Sequence, residues 1–282
     1  MRRTIAKNIA QSGTALHAGG IVNMTLSPAA PGAGVVFRRS DLGGKQIPAL
    51  YNRVGETRLG TVIAEDGVSI GVIEHLMAAV AGAQIDDLIV TLDGPEPPIL
   101  DGDALSYFKL LEEAGTKEQD GRRKAIRVTK PVAIAIKDAQ IRLLPSEVPQ
   151  YTYDLDYSNT KAIGKQSYTM TLTRENFARE IAPARTFGFL HELDALTKMG
   201  LGRGASLENT LAIDGDTVVN KSLMRFPDEF VRHKILDAIG DMALAGGPLI
   251  ARFEGVKSGH TTNNVVLRAL FADPANYEIV EI

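Results

Sequence analysis

The chain has 282 residues, with 31 Lys or Arg against 34 Asp or Glu and a formal net charge of −3. Hydrophobic residues make up 44% and charged residues 23%, the composition of an ordinary soluble globular protein, which excludes disordered, collagen-like and coiled-coil chains. That charge balance carries no global footprint for nucleic acid, and the length suits one large domain or two ordinary ones.

The sequence contains no cysteine, so disulfides, thiolate nucleophiles, iron–sulfur clusters and sulfur-ligated zinc are excluded. Any transition metal must be held by His, Asp or Glu, and the histidines are His17, His75, His191, His233 and His260. The apolar runs Leu88–Leu92 and Val132–Ile136 fall far short of the roughly 20 residues that cross a bilayer. The start, MRRTIAKNIAQSG, has no apolar segment after its arginines, so no signal peptide is expected and a cytoplasmic location fits.

In chain order, strand-like stretches come first, at Ile21–Leu26 and Gly34–Arg38. A helix is predicted over Ser69–Ala81, closed by Gly82, then an apolar strand Leu88–Leu92, the loop DGPEPPILDG and a helix Asp103–Ala114 ended by Gly115. The segment Glu112–Lys124 is charge-rich and carries two glycines, which places a boundary near Gly121 and divides the chain into 1–121 and 122–282. Strands follow at Ile126–Ile136, Ile141–Leu144, Tyr151–Tyr157 and Ser167–Leu172. An excursion then runs from His191 to Leu223, with a helical stretch Glu192–Met199, the glycine-rich GLGRGASLENT and a hairpin turn at Asp214–Gly215. A helix over about Glu229–Ala245, a strand Leu249–Phe253, a loop Glu254–Thr262 and a helix Asn263–Phe271 complete the chain.

Helix, strand, loop and helix therefore occur twice in one order without similar residues. This pattern predicts an α+β fold of two layered units, each a sheet that needs helices to cover it. The helices at 69–81 and 229–245 are then equivalent and face each other between the sheets.

The richest stretch chemically is DEFVRHKILDAIGD, Asp228–Asp241. Asp228 is a candidate N-cap, and His233, Asp237 and Asp241 fall at i, i+4 and i+8 on one helical face. Such a stripe is ordinarily a solvated face with incidental pairs. Here the rest of the circumference is apolar. Gly240, costing about 1 kcal/mol relative to Ala inside a helix, points to close approach of another element.

In VIEHLMAAVAG, His75 has the carboxylate Glu74 directly beside it. A lone His on an apolar helix is commonly a core residue, but a Glu next to a ligating His can take a proton from water at a metal. The two-His helix signature of zinc proteases is absent, since position 79 is Ala. His75 needs ligands from elsewhere, and His233 with Asp237 make three, leaving the open position of a catalytic zinc site. His260, in KSGH, is either a surface loop histidine or a general acid. Ser258 lacks a G-x-S-x-G context, and GLGRG matches neither a dinucleotide fingerprint nor a Walker motif, so serine and nucleotide hydrolases are rejected.

VIEHLMAAVAG, PEPPILDG, ARTFGF, FVRHKILDAIGD and SGH stand in an order and spacing that resembles the UDP-3-O-acyl-N-acetylglucosamine deacetylase family of lipid A biosynthesis in Gram-negative bacteria. TALHAGG and FRRSDL match as well, so the resemblance covers nearly the whole chain. It implies two similar α+β domains with helical layers packed face to face and the site between them. It implies one Zn²⁺ per chain on His75, His233 and Asp237, with Fe²⁺ suited to the same donors. Glu74 is the implied general base, His260 the general acid, and Asp241 the carboxylate supporting its imidazolium. Lys234 is implied to help bind substrate and transition state, and Thr186 to stabilise the oxyanion. Phe187, Lys234 and Gly204 are the implied substrate contacts, and residues 191–223 an insert forming an apolar passage for an acyl chain.

The implied partner is a UDP-linked acylated amino sugar, whose N-acetyl amide a monomeric cytoplasmic enzyme hydrolyses without nucleic acid or a membrane span. A zinc deacylase for another N-acetyl sugar and a non-catalytic nucleotide-sugar-lipid binder on this scaffold remain open. SNTKAI, Ser158–Ile163, stands where the family often has His-Pro.

Overall fold

Two five-stranded sheets share one wiring. In the computed structural model, which describes residues 1–282, the first sheet has the spatial order Ile9–Thr14, Ile21–Pro28, Leu88–Leu92, Val35–Arg39, Lys45–Pro48. The second has the order Val132–Ile136, Ala139–Leu144, Arg252–Val256, Gln150–Tyr157, Gly164–Thr171. In each, two antiparallel hairpins form first in the chain. A later strand then inserts between them, antiparallel to one hairpin and parallel to the other. Alternate residues point inward, as a pleated strand requires: Val22, Met24 and Leu26 in one sheet, Tyr151, Tyr153 and Leu155 in the other.

There are six α-helices: α1 (Glu74–Ala83), α2 (Leu105–Ala114), the short α3 (Arg174–Asn176), α4 (Leu190–Lys198), α5 (Glu229–Met242) and α6 (His260–Ala272). Helices α1 and α5 each precede an inserted strand, and α2 and α6 each follow one. This is the repeated order read from the sequence. Every residue of α1 except Ala81 is buried, as is every residue of α5 except Arg232 and Lys234. A helix covered all round lies in a core, so the polar stripe of α5 is internal and not a solvated face. The two helices touch at Gly240, where a Cβ would meet the Glu74 carbonyl oxygen at 2.0 Å. No helix is long and apolar enough to cross a membrane.

Several elements differ from expectation for local physical reasons. The helix predicted from Ser69 starts at Glu74, because Val68–Ile70 is a strand paired with Ile63–Glu65. Its left-handed cap is Gln84, and Gly82 is interior, where a Cβ would meet the Phe177 ring at 2.1 Å. Helix α2 starts at Leu105, and the Asp103 carboxylate accepts from the Ser106 hydroxyl and amide. The stretch Ile126–Ile136 is broken around Pro131, which cannot donate to a ladder. Lys124–Val128 pairs with Leu249–Ile250 and with a strand at Tyr277–Glu281 that the sequence did not disclose.

The strand Leu249–Phe253 is likewise interrupted at Ala251. Asp228 occupies the N-cap position of α5 but caps nothing. Its carboxylate accepts from Arg232 Nε at 2.6 Å. Helix α6 begins at His260, three residues early, because the Thr262 hydroxyl accepts from the Gly259 amide and closes the first turn. In the excursion, the hairpin Leu211–Asp214/Thr217–Val218 turns at the expected place.

Candidate metal and catalytic site

The crossing of α1 and α5 brings the three proposed ligands together. One ligand atom from each of His75, His233 and Asp237 lies within 4.8 Å of the others, and all three side chains are buried. Asp237 Oδ1 is 3.6 Å from His75 Nε2 and 3.4 Å from His233 Nε2. The two imidazoles stand edge to face with centroids 4.9 Å apart. Burial lowers both histidines' affinity for a proton, and the neighbouring His233 helps bring His75 down to about 3. Both rings are therefore neutral at pH 7.

These residues fit a metal ion. Two donors about 2.0–2.1 Å from one tetrahedral ion stand about 3.4 Å apart, close to the two nitrogen–oxygen separations observed. The His233 Nδ1–H donates to the Ala184 carbonyl at 3.1 Å, which fixes the tautomer and turns the Nε2 lone pair toward Asp237. His75 Nδ1 is buried without a partner, so its ring is less firmly oriented. Asp237 stays ionised. Burial alone would protonate it, but the Lys234 ammonium outweighs that cost, and its pKa lies below the usual carboxylate range. A carboxylate oxygen and two imidazole nitrogens suit zinc and iron alike.

Glu74 and His260 flank this cluster. Burial pushes the Glu74 carboxyl up to about 7, against the favourable charge of His260. His260 is burdened by burial too, but Asp241 and Glu74 prevail and hold it up at about 9. Its Nδ1–H donates to Asp241 Oδ2 at 2.9 Å, and its Nε2 faces Glu74 Oε1 at 3.8 Å. A buried carboxyl and a buried imidazole, with separated proton affinities, thus stand 3.8 Å apart.

Lys234 donates from Nζ to Asp237 Oδ2 at 2.7 Å. Burial disfavours its charge, yet Asp237 and Tyr153 raise its pKa above the ordinary lysine value. The Phe187 ring stands edge-on to His233 at 6.3 Å and to Phe230 at 5.0 Å. Thr186 precedes it, held by its amide on the Gly102 carbonyl and by its carbonyl on the Leu211 amide, both 2.9 Å. Gly204 lies on the Ala15–Leu16 backbone instead: its amide donates to the Leu16 carbonyl at 2.9 Å, and a Cβ would meet the Ala15 oxygen at 2.2 Å. His191 is exposed, its ring tilted 51° against Phe189 with centroids 5.4 Å apart, and it is not among the clustered donors.

Two residues in direct contact with the Glu74 and Asp241 carboxyls escaped the sequence reading. The Thr61 amide donates to Glu74 Oε2 at 2.9 Å, and its hydroxyl to Asp241 Oδ1 at 2.5 Å. Asn263 Nδ2 donates to Asp241 Oδ2 at 2.8 Å. Thr61 is in no motif with chemical content. Asn263 falls within the helix read as structural, and its spacing of three from His260 was the one available signal.

The family model described as LpxC, UDP-3-O-acyl N-acetylglycosamine deacetylase, matches residues 2–272. The chain belongs to this family. It is 45% identical over 280 residues to the UDP-3-O-acyl-N-acetylglucosamine deacetylase of Myxococcus xanthus (strain DK1622), covering 99% of this chain and 89% of that protein. Identity is 43% over 282 residues with the protein of the same name from Aliarcobacter butzleri (strain RM4018), covering 100% and 93%. With that of Phenylobacterium zucineum (strain HLK1) it is 42% over 271 residues, covering 95% and 92%. The LpxC match spans both sheets and all six helices, so the resemblance carried by the five sequence blocks is borne out over nearly the whole chain.

Proposed function

We propose that the protein hydrolyses the N-acetyl amide of UDP-3-O-acyl-N-acetylglucosamine, releasing acetate and the free amine, in the lipid A pathway of a Gram-negative cytoplasm. The observation that carries this reading is the convergence of His75, His233 and Asp237 beside Glu74 and His260 in a chain of the LpxC family. We take the resident metal as Zn²⁺, one per chain, with Fe²⁺ as the alternative, and the working unit as a monomer with units 1–121 and 122–282. A divalent ion on these donors supplies a Lewis acid that polarises the amide carbonyl and acidifies water.

The chain's own groups do the rest. Glu74 takes the proton from the attacking water through Oε1, since Oε2 is occupied by the Thr61 amide. Its raised proton affinity matches a base that must accept a proton near neutrality. Lys234 and the Thr186 hydroxyl are the donors proposed for the developing oxyanion, a role typically contributing ~3–4 kcal/mol. An amine anion is a poor leaving group, so the nitrogen must be protonated as the bond breaks. His260 gives that proton from Nε2, and Asp241 holds the imidazolium charged and oriented. Phe187 presents an apolar edge to the sugar, and Gly204 belongs to the excursion proposed to take the acyl chain.

The test is acetate release from UDP-3-O-acyl-N-acetylglucosamine by purified protein, with metal analysis on the same sample. About one divalent ion per chain and chelator-sensitive turnover are expected. Equal turnover of an N-acetyl sugar lacking UDP and the acyl chain would replace this substrate, and full activity in both His75→Ala and His233→Ala would overturn the metal-dependent reaction.

A further inference from the structure

The loop before α1 contacts all three helices that carry the proposed catalytic groups, and one buried residue in it bonds both carboxylates. Thr61, 1% exposed, sends its amide to Glu74 Oε2 at 2.9 Å and its hydroxyl to Asp241 Oδ1 at 2.5 Å. Its carbonyl accepts from the amide of Ile73, the residue that enters α1. The base is on α1, the carboxylate partner of the acid on α5 and the acid itself on α6. The same loop reaches α6 directly, where the Thr57 and Thr261 hydroxyls are 2.7 Å apart beside His260. Gly60 completes the fit: its φ is +153°, and a Cβ there would press on Glu74 Oε1 at 3.0 Å. The loop is braced on its outer side by His17, whose Nε2–H donates to the Leu59 carbonyl at 3.1 Å.

We propose that Thr61 is a positioning residue that fixes the general base Glu74 and the acid's partner Asp241 in one mutual geometry. This rests on the deacetylase reading above. Each carboxylate has two oxygens, and only one of each is free to act. The Thr61 amide occupies Oε2 of Glu74, leaving Oε1 to face His260 Nε2. The Thr61 hydroxyl and the Asn263 amide hold the Asp241 carboxylate so that Oδ2 receives the His260 Nδ1–H. Without the hydroxyl, Asp241 can rotate about its own bond, and the His260 Nε2 loses its fixed distance from Glu74. Proton delivery then suffers while substrate binding does not, because the hydrogen bonds of the buried Thr61 go to Glu74, Asp241 and Ile73 and to none of the proposed metal ligands.

The experiment is a kinetic comparison of Thr61→Val, Thr61→Ser and the wild type on UDP-3-O-acyl-N-acetylglucosamine, with metal content and melting midpoint measured on each. Valine keeps the shape and the amide but removes the hydroxyl. It should lower kcat about 10- to 100-fold, as loss of an outer partner does, with KM and metal content unchanged. Serine should recover most of that loss. In an Asp241→Ala background, Thr61→Val should cost no more than about twofold, since its partner is already gone. The proposal is overturned if Thr61→Val retains the wild-type kcat, if only KM rises, if serine is as poor as valine, or if the losses are additive with Asp241→Ala. A wild-type protein that binds metal but releases no acetate overturns the deacetylase reading and this proposal with it. An active wild type with indifferent Thr61 variants overturns this proposal alone.

Discussion

The backbone of Gly240 presses on the carbonyl of Glu74 so closely that a Cβ at Gly240 would sit 2.0 Å from that oxygen. The contact sets how near α5 comes to α1, and so how near His233 and Asp237 come to His75. Gly240→Ala gains about 1 kcal/mol of helix propensity but must separate the helices, and overpacking of this kind costs about 1–3 kcal/mol. The variant should be less stable in denaturant and bind metal more weakly. Unchanged stability together with unchanged metal affinity would mean that the crossing is set elsewhere.

The separated proton affinities of Glu74 and His260 should make the rate bell-shaped in pH. On the proposed mechanism, activity requires Glu74 without its proton and His260 with it. The rate should therefore rise at or below about 7, where burial alone places the Glu74 carboxyl, and fall at or below about 9, where Asp241 and Glu74 hold the buried His260 imidazole, because a bound cation disfavours the protonated form of both. A bound cation favours the Glu74 carboxylate, so metal loading moves the rising limb to lower pH. Asp241→Asn removes the charge that offsets the burial of His260 and should bring the falling limb down. A pH profile of kcat/KM for both proteins checks this, and a falling limb that stays put in Asp241→Asn would sever the acid from its proposed partner.

Metal removal should be visible without any substrate. A ligand that binds only the folded chain stabilises it by about 2.7 kcal/mol at a free concentration of 100 Kd. The wild type should therefore melt at higher temperature in zinc than in chelator. His75→Ala and His233→Ala should lose that difference. Persistence of a full zinc-dependent shift in either single variant would show that the ion is held by other groups.

The clustering of His75, His233 and Asp237 was legible because residue type and helical spacing point to it: His75 has Glu74 beside it, and His233–Asp237–Asp241 repeat at one turn. Gly240 was legible as a point of approach, since a helix interior has no other use for glycine. Gly82 was read as a helix end, when it is a seat for the Phe177 ring, because a glycine near a helix terminus has two physical explanations and only the packing partner separates them. Thr61 was invisible. Its partners lie 13 and 180 residues away, and a threonine in a loop has no pattern that reports such contacts. The strand at Tyr277–Glu281 depends on pairing with Lys124–Val128, which no local propensity could assign.

GLGRG looked loosely like a phosphate loop, but its last glycine meets backbone. Gly204 donates to the Leu16 carbonyl, and a Cβ would strike the Ala15 oxygen at 2.2 Å and Thr14 Cγ2 at 2.8 Å. Next to it, the Gly202 amide donates to His17 Nδ1 at 3.2 Å. The excursion is thus docked on the turn that follows Ile9–Thr14, and this docking sets where its exposed side chains Leu193, Met199 and Leu207 stand. Gly204→Ala should lift the loop at a cost of about 1–3 kcal/mol while leaving the buried metal donors in place. The expected kinetic result is a raised KM for substrates with long acyl chains, a smaller change for short ones, and normal metal content. Measuring KM across an acyl-length series decides it: an equal rise at every length would assign Gly204 to the sugar or nucleotide end of the substrate and not to the acyl chain.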